Sequence, residues 1–270
     1  MILNNMKKQI LSVLPGDHPW QNTLICYDSI SSTNDLAKEM ARNGAPEGTV
    51  IVSTAQTAGR GRLGRSFHAP AGLGLYFSVI LRPQCPPEQL LHLTCAAAVA
   101  ACNAVADCTG LRPQIKWTND LVIGKEKLGG ILTELSVSQA GIVDWAVIGI
   151  GINCLHRKED FPTELQSIAT SLLLSYHQSV SPGCLAAYLI QALYHMRQML
   201  FSQKNDIMQC YKQDCMTIGQ QVVLVRGEEK RYGTALDLDP NGALIVRFED
   251  GTVESVQSGE ISVRGLYGYV

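Results

Sequence analysis

The sequence predicts an α+β protein in two parts: helices lying on a β-sheet over residues 1–216, then a small β-barrel of SH3-like size over residues 217–270. Three observations carry this reading. β-branched runs alternate with apolar runs at helical spacing, and a meander of short strands fills residues 115–152. After about Thr217 the texture changes to brief strands separated by the turn sequences Arg226-Gly227, Asp239-Pro240-Asn241-Gly242 and Glu249-Asp250-Gly251.

Taken in order, Ser31-Ser32-Thr33-Asn34-Asp35 ahead of Leu36, Ala37, Met40 and Ala41 reads as a capped helix that starts near residue 33 and stops at Gly44. Residues 49–54 (TVIVST) read as a buried strand. From Gln56 to Gly74, glycines and three arginines replace all periodicity, so this is a long loop of the functional or mobile kind. Residues 75–81 are the next strand and residues 88–107 an Ala-rich helix. Short strands at 115–117 and 121–123 lead through the turn Gly124-Lys125-Glu126-Lys127 into 131–135. Residues 142–152 form a long Val/Ile strand, and 184–199 carry the spacing of a helix on a sheet.

Composition narrows the function. With 46% hydrophobic and 17% charged residues the chain is not disordered, and a net charge of −2 gives no global reason to bind a polyanion. The charge is unevenly placed, however. Between Gly48 and Pro87 there is no Asp or Glu, while Arg60, Arg62, Arg65 and Arg82 lie there, so any anion site is local. Nine cysteines, an odd number without any C-x-x-C, read as reduced core thiols rather than disulfides or zinc ligands. The N-terminus lacks the pattern of a signal peptide, and the apolar stretch 93–106 is shorter than a membrane span, so the expectation is a cytoplasmic, soluble protein with no membrane partner.

Gly59-Arg60-Gly61-Arg62-Leu63-Gly64-Arg65 alternates glycines, which admit close backbone approach, with guanidinium groups that pair with phosphate or carboxylate. It is neither a P-loop nor a dinucleotide fingerprint opening a helix, and an arginine-rich solvated loop or RNA-binding tract is the plainer alternative. In Lys116-Trp117-Thr118-Asn119-Asp120 and Lys127-Leu128-Gly129-Gly130-Ile131, two lysines flank a carboxylate. They offer cations for a phosphate and an anion able to hold Mg²⁺ through water, although Asn119-Asp120 also suits a simple turn. Gly149-Ile150-Gly151-Ile152-Asn153 closes a buried strand, where Asn153 either reads an adenine edge or caps the strand.

In this order and spacing, S-T-N, Q-x-A-G-R-G-R-x-G-R, K-W-x-N-D, K-x-x-G-I and G-I-G-x-N resemble the biotin protein ligases over about residues 25–155. Ser258-Gly259-Glu260-Ile261-Ser262-Val263-Arg264 resembles the end of that family's C-terminal β domain. The resemblance implies a mixed β-sheet with flanking helices, related to class II aminoacyl-tRNA synthetases and lipoate ligases, followed by an SH3-like domain. Residues 1–216 would bind biotin and ATP, and 217–270 would be the C-terminal domain. The implied reaction activates biotin with ATP and Mg²⁺ to biotinyl-5′-AMP, then transfers biotin to a lysine of a biotin carboxyl carrier protein or domain.

By the same resemblance Ser32, Thr33, Asn34, Gln56, Arg60, Gly61, Arg62 and Lys127 contact biotin. Arg60, Arg62, Arg65, Phe67, Lys116, Asn119, Asp120 and Asn153 face ATP, and Asp120 also faces the metal. Lys127, Arg62 and Asp120 are the expected catalytic residues, with 59–65 ordering over the adenylate. Two positions depart from the family pattern: Thr118 stands where proline is common, and Phe67 where a tryptophan often packs on the nucleotide. Bifunctional members carry a helix-turn-helix domain ahead of S-T-N; only 31 residues precede Ser32, so a ligase without DNA binding is expected. The oligomeric state stays open, a homodimer included. A lipoate or octanoate ligase would usually show R-R-x-S-G-G-G at the arginine loop. An RNA-binding module would need a basic barrel, whereas residues 217–270 are net acidic.

Overall fold

The computed structural model describes residues 2–177, 179–257 and 262–265, so Ser258 to Ile261 of the C-terminal motif lie outside the described residues. A seven-stranded mixed sheet has the order β1-β2-β3-β7-β6-β5-β4. Its strands are β1 (Leu24–Tyr27), β2 (Val50–Ser53), β3 (Gly74–Leu81), β4 (Gln114–Lys116), β5 (Asp120–Ile123), β6 (Glu126–Val137) and β7 (Val143–Asn153). Only the β1–β2 pair is parallel; every other neighbour runs antiparallel. Strands β2 and β3 are buried at every position, as β-branched runs covered on both faces must be.

One face of the sheet carries α1 (Ile2–Val13), α3 (Leu93–Thr109), α5 (Pro182–Met199) and α6 (Lys204–Asp214), which share one continuous core with the short α4 (Leu172–Tyr176). The other face carries α2 (Thr33–Arg42), whose Ala37 and Ala41 pack with Ile51, Ile80, Trp145 and Val147. The sequence reading missed α1 and β1, and took the stretch around Cys210 and Cys215 as an apolar helix without giving α6 its bounds. Met6, Ile10 and Leu14 are buried at four-residue spacing and were the available signal for α1. By contrast α6 is mostly polar and buries only Ile207, Met208 and Tyr211.

Two expectations need correction. With the 3₁₀ turn ahead of it, α3 belongs to a 23-residue helical stretch, Pro87–Thr109, whose most apolar 18 residues have a mean hydropathy of 1.5, long and apolar enough to cross a membrane. Those residues are 72% buried inside the fold, between α5, α6 and the sheet, so their apolarity serves the core. All nine cysteines are free, yet not all are core thiols: Cys210 is exposed, and Cys108 and Cys184, which meet each other between α3 and α5, are half-buried.

A second, SH3-like sheet is antiparallel with order β11-β10-β9-β8-β12, built from β8 (Gln221–Arg226), β9 (Glu229–Leu238), β10 (Leu244–Phe248), β11 (Val253–Val256) and β12 (Ser262–Gly265). β12 is a strand the turn pattern had not indicated. This sheet is tied to the rest of the fold by side chains from the first sheet and from α6: the Trp117 indole N–H donates to the Gly242 carbonyl at 2.8 Å, the Lys204 ammonium to Asn241 Oδ1 at 2.5 Å and the Lys212 ammonium to Asp237 Oδ2 at 2.9 Å. Gly242 has φ +88°, and a Cβ there would lie 2.6 Å from Cys95 Sγ, so glycine is required where the turn meets α3.

Candidate active site

The first wall of the site is the N-terminus of α2. Ser32 is its N-cap, with Oγ accepting from the Asp35 N–H at 3.3 Å. Helix N-termini leave backbone donors without partners, and here the Thr33 N–H and hydroxyl both donate to Gln56 Oε1, at 2.7 and 3.0 Å. With its oxygen so occupied, Gln56 turns its amide nitrogen toward Gly59. Asn34 is engaged by the sheet. It accepts from the Ser78 hydroxyl at 2.6 Å and donates to the Leu132 carbonyl and to Glu134 Oε2 at 3.2 and 3.0 Å. A Cβ on Gly149 would lie 1.9 Å from Asn34 Oδ1, so that glycine makes the space Asn34 fills.

The second wall is the arginine loop, and it is folded rather than structureless. Gly61 N–H donates to the Arg65 carbonyl at 2.7 Å and Phe67 N–H to the Gly59 carbonyl at 2.9 Å, giving a small hairpin. Its tip holds Leu63 at φ 55° and Gly64 at φ 73°, the paired left-handed residues of a tight reversal. Glycine adopts this freely; exposed Leu63 adopts it against preference. Two side chains fasten the hairpin: Arg60 Nη1 donates to Asp35 Oδ1 at 2.6 Å, and Arg62 Nη1 to Asn119 Oδ1 at 2.9 Å. Burial pulls the Arg62 guanidinium below its ordinary pKa despite the nearby Asp120 carboxylate. Burial pushes Asp35 up, but hydrogen bonds and charge from Lys38 and Arg60 outweigh it and leave the carboxyl below the usual range. The Phe67 ring covers Gly151, where a Cβ would come within 2.7 Å of it.

The third wall is β5–β6. Asp120 pairs with Gly130 and Val122 with Lys127, so the register shifts by one residue between them. Such a bulge breaks the strict alternation of faces and sets Lys127 on the same side as Asp120. Lys127 Nζ donates to Asp120 Oδ1 at 2.6 Å, above Gly130, whose missing side chain leaves the room. Asn119 closes the wall by donating to the Ile131 carbonyl at 2.9 Å.

These walls enclose a cavity of about 570 Å³. Every residue the sequence reading nominated lines it except Asn153. That residue is buried and spends its amide N–H on the Thr170 carbonyl at 2.9 Å, as strand-end structure rather than cavity wall. The reading overlooked Trp117, Ile131, Leu132, Ile150 and Ile168 as lining residues. Four of these lie inside or beside quoted motifs; Ile168 sits in a segment with no motif. Chemically the cavity suits an anion: Arg60, Arg62, Arg65, Lys116 and Lys127 line it against one carboxylate, Asp120. Among the described residues no group of three or more His, Cys, Asp or Glu could hold a metal ion by itself. One carboxylate fits Mg²⁺ only where phosphates and water complete its coordination.

The chain matches the Biotin/lipoate A/B protein ligase family over residues 26–153 and the Biotin protein ligase C terminal domain over residues 217–264. The Bifunctional ligase/repressor BirA of Bacillus subtilis (strain 168) is 35% identical over 241 residues, covering 89% of this chain and 74% of that relative. The Biotin--[acetyl-CoA-carboxylase] ligase of Mycobacterium tuberculosis is 29% identical over 263 residues, 95% of this chain and 93% of its own. Among solved structures, the biotin protein ligase from Aquifex aeolicus in complex with biotin and ATP superposes with a TM-score of 0.75 at 27% identity, over 90% of this chain and 98% of that one.

Proposed function

This chain belongs to the biotin/lipoate A/B protein ligase family, as a biotin protein ligase, and from that premise we propose how its residues divide the work. The enzyme joins biotin to ATP and passes the biotinyl group on. In the first step a carboxylate oxygen of biotin forms a bond to the α-phosphorus, the bond to the bridging oxygen breaks, and pyrophosphate leaves. A carboxylate is already ionised at pH 7, so no base is needed; the difficulty is bringing two anions together and holding the charge that builds on the phosphate. Lys127 meets the biotin carboxylate and the α-phosphate. Arg60, Arg62, Arg65 and Lys116 neutralise the phosphates; Asp120 would hold Mg²⁺, which would screen the charge on the leaving pyrophosphate.

The head group of biotin sits against Ser32, Thr33 and Gln56. Asn34 shapes this end by holding α2 to β3 and β6, since its own polar atoms are already engaged. Phe67 offers its ring to the nucleotide end. Asn119 fastens Arg62 there. The hairpin at 59–67 covers the mixed anhydride against water.

In the second step the amine of an acceptor lysine attacks the biotinyl carbonyl and AMP leaves. At pH 7 only about 0.04% of an ordinary lysine is deprotonated, so a nearby carboxylate helps, and Asp120 is the cavity's own. The acceptor is a biotin carboxyl carrier protein or domain. Residues 1–216 do the chemistry and 217–270 brace the Lys116–Asp120 turn. The free thiols suit a reducing compartment, and we place the enzyme in the cytoplasm.

The observation that carries this reading is the convergence of Arg62, Lys116 and Lys127, from three separate segments, on one glycine-floored cavity. The test mixes pure protein with ATP, Mg²⁺ and labelled pyrophosphate. Biotin-dependent exchange into ATP, with lipoate inert, is expected; absence of exchange with biotin overturns the reading.

A further inference from the structure

We infer that Lys158, remote from every sequence motif, is a positioning residue for Lys127, acting through the segment 166–170. This deepens the function proposed above and rests on it.

The main chain of Lys127 is held on its outer side by that segment alone among the described residues. Its N–H donates to the Ile168 carbonyl at 2.8 Å, and its carbonyl accepts from the Thr170 N–H at 2.9 Å. Lys127 pairs with Val122 of β5, but the β6–β7 ladder begins only at Gly129, so at Lys127 this external strap takes the edge that β7 does not reach. Asn153 holds the Thr170 end of this strap, and Lys158 holds the rest. An ammonium has three donors, and Lys158 Nζ has three acceptors: Glu126 Oε1 at 2.5 Å, the Gln166 carbonyl at 2.9 Å and the Ala169 carbonyl at 3.1 Å. It thus clips Gln166 and Ala169 of the strap to the residue immediately before Lys127. Ile168, between the two clipped carbonyls, is part of the cavity wall.

The catalytic ammonium therefore depends on a main chain fixed by a clip. Methionine at 158 keeps length and removes all three donors. In Lys158→Met, kcat for biotin-dependent pyrophosphate exchange is expected to fall about tenfold to a hundredfold while KM for biotin changes little, because a misaligned Lys127 loses rate before binding. Amide exchange should quicken in peptides covering 124–131 and 166–172 and nowhere else. Lys158→Arg, which keeps charge and several donors, should recover most of the rate. Glu126→Gln should fall between. Unchanged kcat in Lys158→Met overturns the inference, as does faster amide exchange across the whole chain or failure of arginine to rescue. Wild-type protein is the control that separates the two claims: if it shows no biotin-dependent exchange the functional reading fails, and the amide-exchange arm, which needs no substrate, still decides the role of Lys158.

Discussion

Two ion pairs face each other across the cavity, Arg60–Asp35 on the hairpin side and Lys127–Asp120 on the sheet side, both at 2.6 Å. Their surroundings differ. The side chains of the first pair are 49% and 40% exposed, those of the second 29% and 17%. Arg60 rides on a hairpin whose residues 63–66 face solvent, whereas Lys127 is held between β5 and the strap. Equal distances conceal unequal worth. Exposed pairs contribute roughly 0–1 kcal/mol, and a pair in a partly desolvated, rigid setting holds geometry far better. The comparison teaches a division of labour: a fixed wall that performs the chemistry, and a lightly fastened wall that admits substrate and then shields the adenylate.

The comparison is broken first at its strong end. Lys127→Met should lower biotin-dependent pyrophosphate exchange by about 10²–10³-fold, in line with loss of one transition-state donor, with little change in thermal midpoint. A loss under tenfold would remove Lys127 from the reaction.

The sheet side should also be the pH-sensitive one. His156 is fully buried and stacked on Phe161 at 4.8 Å; burial, then the nearby His68 charge, lowers it from 6.5 to about 4. Its folded-state value lies below the unfolded one, so the unfolded chain binds the extra proton between these values. Stability is fully present above about pH 6.5 and is lost as pH falls toward 4, by up to about 3 kcal/mol. His156→Phe should flatten that part of the stability–pH curve in urea titrations.

Next comes the joint between the walls. Gly149→Ala drives a Cβ into Asn34 Oδ1, dislodging the start of α2; a cost of about 2 kcal/mol and weaker biotin binding are expected by calorimetry. Smallest is the hairpin pair. Asp35→Asn should change stability by less than about 1 kcal/mol and raise the KM for biotin a few-fold at most, an effect that shrinks further in high salt.

What was legible in the sequence follows from how local each cause is. Ser32 to Asp35 announce a helix because capping is decided within four residues, and TVIVST announces a strand by its own side chains. Motif order then brought all but one of the nominated residues to the cavity. Asn153 escaped because nothing in the sequence reveals that Thr170 claims its amide. The bulge that turns Lys127 toward Asp120 was invisible, since register is a property of paired strands and not of either alone. The arginine loop looked structureless because its hairpin has no apolar alternation, only backbone bonds and a left-handed Leu63-Gly64 tip. Ile168 and Lys158 lie in a segment whose role comes entirely from what it touches.

The division of labour is tested most directly at Arg62, the hairpin residue that reaches across to Asn119. Pyrophosphate exchange and free biotinyl-5′-AMP in the filtrate would be measured side by side in wild type and Arg62→Ala, without acceptor protein. The account predicts that Arg62→Ala still supports exchange, within about tenfold of wild type, and releases adenylate that the wild type retains. Equal release from both proteins, or exchange lost as completely as in Lys127→Met, would contradict it.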